Sequence, residues 1–181
     1  MSPSPKRGQF WRIFLGTILL SIAYGILHDM VTAHVAVQYF TEYHPHLVDS
    51  KSPIVMALLW GVVATWWFGA MAGLVIGIAD VVGKSPIVPA HAVLKLAGKA
   101  LLVVLALAML VLVFSLALKD HMPRMMDDYF YDEAPSLRLR LGSVGNAHLF
   151  SYAGCLLAVI WVCVSIAVQR RRLRFASSLR D

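Results

Sequence analysis

Seven histidines stand in a chain otherwise poor in charge. Charge and hydropathy predict that His28, His34, His44, His46, His121 and His148 lie toward one side of a membrane and His91 toward the other. Two of the six have a tyrosine one helical turn away, Tyr24 with His28 and Tyr152 with His148. Asp29 follows His28, where it can orient an imidazole or complete a ligand set. Neutral imidazole binds zinc, copper and iron, and two facing imidazoles at helix ends can form the axial pair of a haem. The residues expected to hold a transition metal or haem are His28, His148, Asp29, His34 and His121. Met122, Met125 and Met126 beside His121 are soft donors suited to Cu(I). None of these has diagnostic spacing. The competing account is that His and Tyr populate a membrane interface because each has an apolar body and a polar tip. Both accounts stay open at this level.

Other chemistry is thin. No catalytic triad, phosphate loop or HExxH motif is present, which points away from an enzyme. Asp127-Asp128 and Asp132-Glu133 read as a solvated acidic loop rather than paired catalytic carboxylates. Cys155 and Cys163 lie eight apart in an apolar run and read as packed free thiols. Trp66 and Trp67 sit near the middle of an apolar run, where they either fill space or hold a flat cofactor. Gly61, Thr65, Gly69, Gly73 and Gly77 recur every four residues, a small-residue ridge that lets another helix approach closely. That helix can belong to this chain, to a second copy or to another membrane protein.

The elements that must position these residues follow from composition. Of the 181 residues, 59% are hydrophobic and 14% charged, and mean hydropathy is +0.72. A soluble domain is nearer 45–50% apolar and about 25% charged. A bilayer-spanning helix needs roughly 20 mostly apolar residues. Four runs qualify, at about residues 13–37, 54–79, 100–118 and 147–168, with a long loop over 119–146. The prediction is an all-α integral membrane four-helix bundle, up-down-up-down, with residues 1–181 as a single membrane domain. The first run reads as an uncleaved span, since no small-x-small cleavage site follows it. Thr17, Ser21, Tyr24, His28 and Thr32 share one of its faces. The third run has almost no polar group and is expected to be the most lipid-exposed. A short interfacial helix is expected from Pro135 to Leu141. Short loops predict that the first and fourth spans lie side by side, bringing His28 and His148 into one pocket.

Eleven of the sixteen Lys and Arg fall in the N-terminal tail, the middle loop and the C-terminal tail. That side nets +9 and the other −3, so both termini are expected in the cytoplasm. The Arg170-Arg171-Arg172 tail is expected to meet anionic head groups, and no aromatic-basic module suggests nucleic acid.

Tyr24-Gly25-Ile26-Leu27-His28-Asp29, Thr32-Ala33, Tyr39-Phe40-Thr41 with His44-Pro45, Trp60-Gly61 and Ala64-Thr65-Trp66-Trp67-Phe68-Gly69 resemble an uncharacterised family of small four-span bacterial inner-membrane proteins. The likeness covers the first 80 residues well and returns weakly at His148 with Ser151-Tyr152. It implies a multi-pass protein of the bacterial inner membrane and no particular reaction. Gln38 is a departure, where an acid is expected in relatives. Two functions follow as expectations: a metal or haem held at the outer face by histidines, or a non-catalytic accessory subunit that docks on membrane partners through its glycine-ridged helix.

Overall fold

A computed structural model describes residues 5–118 and 129–179. All regular structure among them is helical: α1 (Pro5–Val35), α2 (Gln38–Thr41), α3 (Pro53–Val63), α4 (Trp66–Val81), α5 (Ala90–Ala117) and α6 (Pro135–Ser178). Four segments are long and apolar enough to cross a membrane: Lys6–Val35, Pro53–Val81, Ala90–Ala117 and Pro135–Ser178. Each shows large apolar side chains on its outer surface, as lipid-facing helices do.

Several boundaries differ from the sequence expectation. The second span is two helices, broken at Ala64 and Thr65. The Thr65 hydroxyl takes the Gly61 carbonyl, while the Thr65 N–H falls back to Val62 O at 3.3 Å. A threonine that competes for its own i−4 carbonyl bends a helix in this way. Nor is Pro135–Leu141 a separate interfacial helix. Pro135 opens α6 itself, where a proline without an N–H is tolerated, and the helix runs on for 44 residues. Residues 141–148 of α6 are all buried, and Gly142, Ser143, Gly145 and Ala147 are small enough to be enclosed on every side. The third span is not the most exposed. Its most apolar stretch is buried to the same share as that of the second span and more than those of the first and fourth. Ala90, Val93, Ala97, Ala100, Val104, Ala108 and Leu112 form its inward stripe.

The order of packing also corrects the expectation of a sequential ring. α1 packs along α3 and α4 on one flank and α5 on the other, and α6 packs along α5 and α4. No backbone of α5 approaches α3 or α4, so the second and third spans stand at opposite corners. α1 and α6 stand across the other diagonal and touch little. The glycine ridge holds α1 tightly against α3 and α4. A methyl on Gly61 would lie 2.6 Å from the Ile26 backbone, one on Gly69 2.9 Å from Ile18 Cα, and one on Gly73 2.9 Å from Phe14 O. Gly77 faces the Phe10 ring at 2.8 Å. Gly25 answers from α1, with Gly61 O at 2.5 Å from its missing Cβ.

The end of the bundle away from the histidines is locked by polar groups. Asp80, fully buried, accepts from Gln9 Nε2 at 2.9 Å and from the Val88 N–H at 2.7 Å. Gln9 also donates to Val88 O and accepts from the Ala90 N–H. Arg170 is buried rather than lipid-facing. Its guanidinium donates to Pro86 O (2.9 Å), Ala79 O (2.6 Å), Val82 O (2.7 Å) and Ser85 O (3.1 Å). These are the carbonyls that the end of α4 and the following turn leave unpaired.

The contrast between two helical glycines tests this packing. Gly61→Ala should cost about 1–3 kcal/mol, because a methyl there meets backbone that cannot yield. Gly98→Ala should be neutral or stabilising, since its methyl has Leu20 no nearer than 3.8 Å and alanine is the better helix former. Thermal unfolding in detergent reads both, and equal midpoints would refute the close α1 contact.

Candidate metal centre

The diagonal placement of α1 and α6 leaves an interior at the histidine end, and three buried side chains fill it. His28 and Asp29 come from α1, and His148 comes from α6. Neighbours in sequence point about 100° apart on a helix, so His28 and Asp29 flank one α1 face, and His148 enters against both. Asp29 Oδ1 lies 3.0 Å from His28 Nδ1 and 3.3 Å from His148 Nε2. One ligand atom from each of the three residues lies within 4.8 Å of the others.

The hydrogen bonds fix much of the protonation. His148 Nδ1 lies 2.9 Å from Val144 O and can meet a carbonyl only by donating. A neutral His148 therefore turns the lone pair of Nε2 toward the Asp29 carboxylate. Two electron-rich atoms at 3.3 Å require a proton or a cation between them: a proton on His148 Nε2 or on the Asp29 carboxyl, or a metal ion among the three groups. His28 Nε2, buried, has no hydrogen-bond partner. The contact between Asp29 and His148 is thus completed only by a proton or a cation, as in a ligand set without its ion. A tetrahedral ion with bonds of 2.0–2.1 Å to nitrogen holds its ligands about 3.3–3.4 Å apart, close to two of the separations here.

Aromatic rings enclose the cluster. Tyr39, on α2, stacks on His148 with centroids 4.8 Å apart at 28°. His44 lies against Trp60 at 4.7 Å and donates from Nδ1 to Tyr39 O at 2.7 Å. Phe130, 1% exposed, is packed edge-on to Tyr43. The Tyr43 hydroxyl donates to Glu133, a bond that pushes its phenol up to about 12. One turn deeper, Tyr24 and Ser151 share a hydrogen bond of 2.7 Å. A cavity of about 290 Å³ adjoins the cluster and is lined by His28, Asp29, His44, His148, Trp60 and Trp67 among others.

The remaining expected residues are placed apart. His34 is exposed and donates to Met30 O at 2.6 Å. His121, with Met122, Met125 and Met126, lies outside the described residues. Trp67 lines the cavity, whereas Trp66, half exposed, does not. Gly61, Gly69, Gly73 and Gly77 pack on α1 of the same chain. The His28 and His148 rings meet edge to face with centroids 4.6 Å apart and Asp29 against both. That leaves no plane for a porphyrin between them, so the arrangement suits a bare ion and not a haem. Sequence reasoning gave Tyr39 and Phe40 no part in the site beyond the family resemblance and left Phe130 in the long loop. The signal was their apolar bulk in a segment otherwise polar. Comparison with protein-family models, curated proteins and solved structures finds no match.

Burial holds the His44 imidazole below the usual histidine range, against the pull of the Tyr39 carbonyl. Asp29 and His148 are the other ionisable groups acting on it. The unfolded chain takes up a proton that folded His44 refuses. Its contribution to stability is therefore whole above about pH 6.5 and falls as pH drops toward the lowered value. Thermal midpoints measured from pH 8 to pH 5 should fall less steeply for His44→Gln than for the parent. Parallel curves would show that His44 is not desolvated.

Proposed function

We propose that this protein is a multi-pass protein of the bacterial inner membrane that binds one divalent first-row transition metal ion through His28 Nδ1, Asp29 Oδ1 and His148 Nε2. The observation that carries the reading is the carboxylate oxygen held between two imidazole nitrogens at 3.0 and 3.3 Å, in an interior where no lysine or arginine pairs with it among the described residues. Two histidines and one carboxylate suit Fe²⁺ or Zn²⁺ and leave a position open for a further ligand. The Val144 carbonyl would orient His148 from behind, as backbone acceptors orient metal-bound imidazoles elsewhere.

The topology is up-down-up-down with both termini cytoplasmic, supported by the +9 against −3 charge asymmetry. The metal then lies toward the outer face. The resemblance to small four-span bacterial proteins favours the inner membrane. An accessory subunit that docks through the glycine ridge is the weaker reading, because α1 already covers that ridge.

Protein purified in mild detergent and loaded with Zn²⁺ or Fe²⁺ should retain about one ion per chain after desalting. Asp29→Asn should weaken retention by at least about tenfold, the lower end of what loss of a mere supporting partner costs, and the His28→Ala/His148→Ala double variant should abolish it. Retention unchanged in the double variant would place the ion elsewhere. A phosphatase reporter after Asp181 should be inactive and one inserted at Asp132 active; the reverse pattern would overturn the topology.

A further inference from the structure

The cavity beside the cluster has one polar end and one apolar end. Its polar end is the three-residue cluster, with the Tyr24–Ser151 pair alongside. Its body is apolar and ringed by aromatic side chains, Trp60, Trp67, Phe68 and Tyr152 among them. Three of the lining residues are about half exposed or more: Trp67 at 48%, Tyr152 at 60% and Leu156 at 58%. These mark a mouth on the outer surface of the bundle, between α4 and α6. Both helices are apolar there, so the mouth faces hydrocarbon rather than water. The two helices are joined instead at the far end, where Arg170 donates to Ala79 and Val82. The break at Ala64–Thr65 borders the same cavity, and irregular backbone at membrane depth is tolerated where it lines one.

We propose that the cavity admits a lipid-soluble molecule with a hydroxylated aromatic head, of the quinol or alkylphenol class, sideways from the bilayer, and that the head oxygen takes the open position of the metal. The inference rests on the metal reading and adds the ligand to it. Three protein ligands leave a coordination position free, and all three residues border the cavity. Whatever fills that position must leave the rest of itself among apolar walls. Flat aromatic heads are favoured there because ring faces and edges surround them. A water-soluble ligand would have to give up its hydration to enter by this mouth.

The test uses full-length protein in lipid nanodiscs, loaded with Co²⁺, whose visible absorption responds to a change of ligand. Decylhydroquinone, added without oxygen, should shift the bands saturably. Ala64→Phe adds bulk to the cavity wall without replacing a ligand. It should keep the Co²⁺ spectrum and raise the half-saturating hydroquinone concentration at least tenfold. If that variant loses Co²⁺, Leu156→Trp at the mouth serves the same purpose. Bands that appear with Co²⁺ but stay unmoved by hydroquinone overturn the ligand while the metal reading stands. A shift with dodecanoate and none with hydroquinone overturns the aromatic head and assigns the cavity to fatty carboxylates. No Co²⁺ spectrum in the parent protein removes the metal reading and this inference with it.

Discussion

A carboxylate in an apolar interior dictates the outer half of this molecule. Asp29 is 5% exposed, on a helix whose outer surface suits lipid. An isolated charge there would cost many kcal/mol, so the fold must bring it partners. It brings two imidazoles, one from the next residue back and one from the far side of the bundle. Each imidazole adds a demand of its own. His148 needs an acceptor for Nδ1, which Val144 supplies one turn earlier on α6. It also needs a cover against lipid, which Tyr39 and Phe40 supply from α2. Small residues across 141–148 then follow, because α6 must be enclosed all round to place His148 at the centre.

The same logic at the other end uses a cation. Arg170 and Asp80 do not pair with each other. The guanidinium is satisfied by four backbone carbonyls, the carboxylate by the Val88 N–H and the Gln9 side-chain amide. Buried charges of opposite sign are thus dispersed into the turn after α4 rather than joined. The two ends differ in kind. The arginine end is closed by bonds already made, whereas the histidine end keeps one polar atom unpaired and a cavity beside it.

The sequence made some of this plain and hid the rest for physical reasons. Four apolar runs were legible because bilayer thickness sets their length. The glycine ridge was legible as a close contact, because four-residue spacing aligns on a helix whatever the partner. The partner itself was not, since a ridge records that something comes near without recording what. His28, Asp29 and His148 could be suspected from their depth and their tyrosine neighbours. The meeting of His28 and His148 in one pocket was legible as well, but not that it is made across a diagonal rather than between adjacent spans, because loop lengths permit more than one order of packing. The break at Thr65 and the burial of Arg170 were missed for a shared reason. Both depend on which carbonyl a side chain reaches, and periodicity carries no information about that.

The diagonal arrangement has a consequence for how the protein is made. α1 and its closest neighbours, α3 and α4, leave the ribosome first and can pack on the glycine ridge as soon as both are in the membrane. His28 and Asp29 are then present while His148 is still to be synthesised, and the carboxylate has one imidazole beside it rather than two. The cluster becomes complete only when the last helix arrives. Insertion of α6 is therefore the step that completes the ligand set around Asp29 and closes the bundle, and a chain truncated before it would hold the carboxylate at membrane depth with only His28 beside it. Completion of the site and completion of biogenesis are one event in this topology.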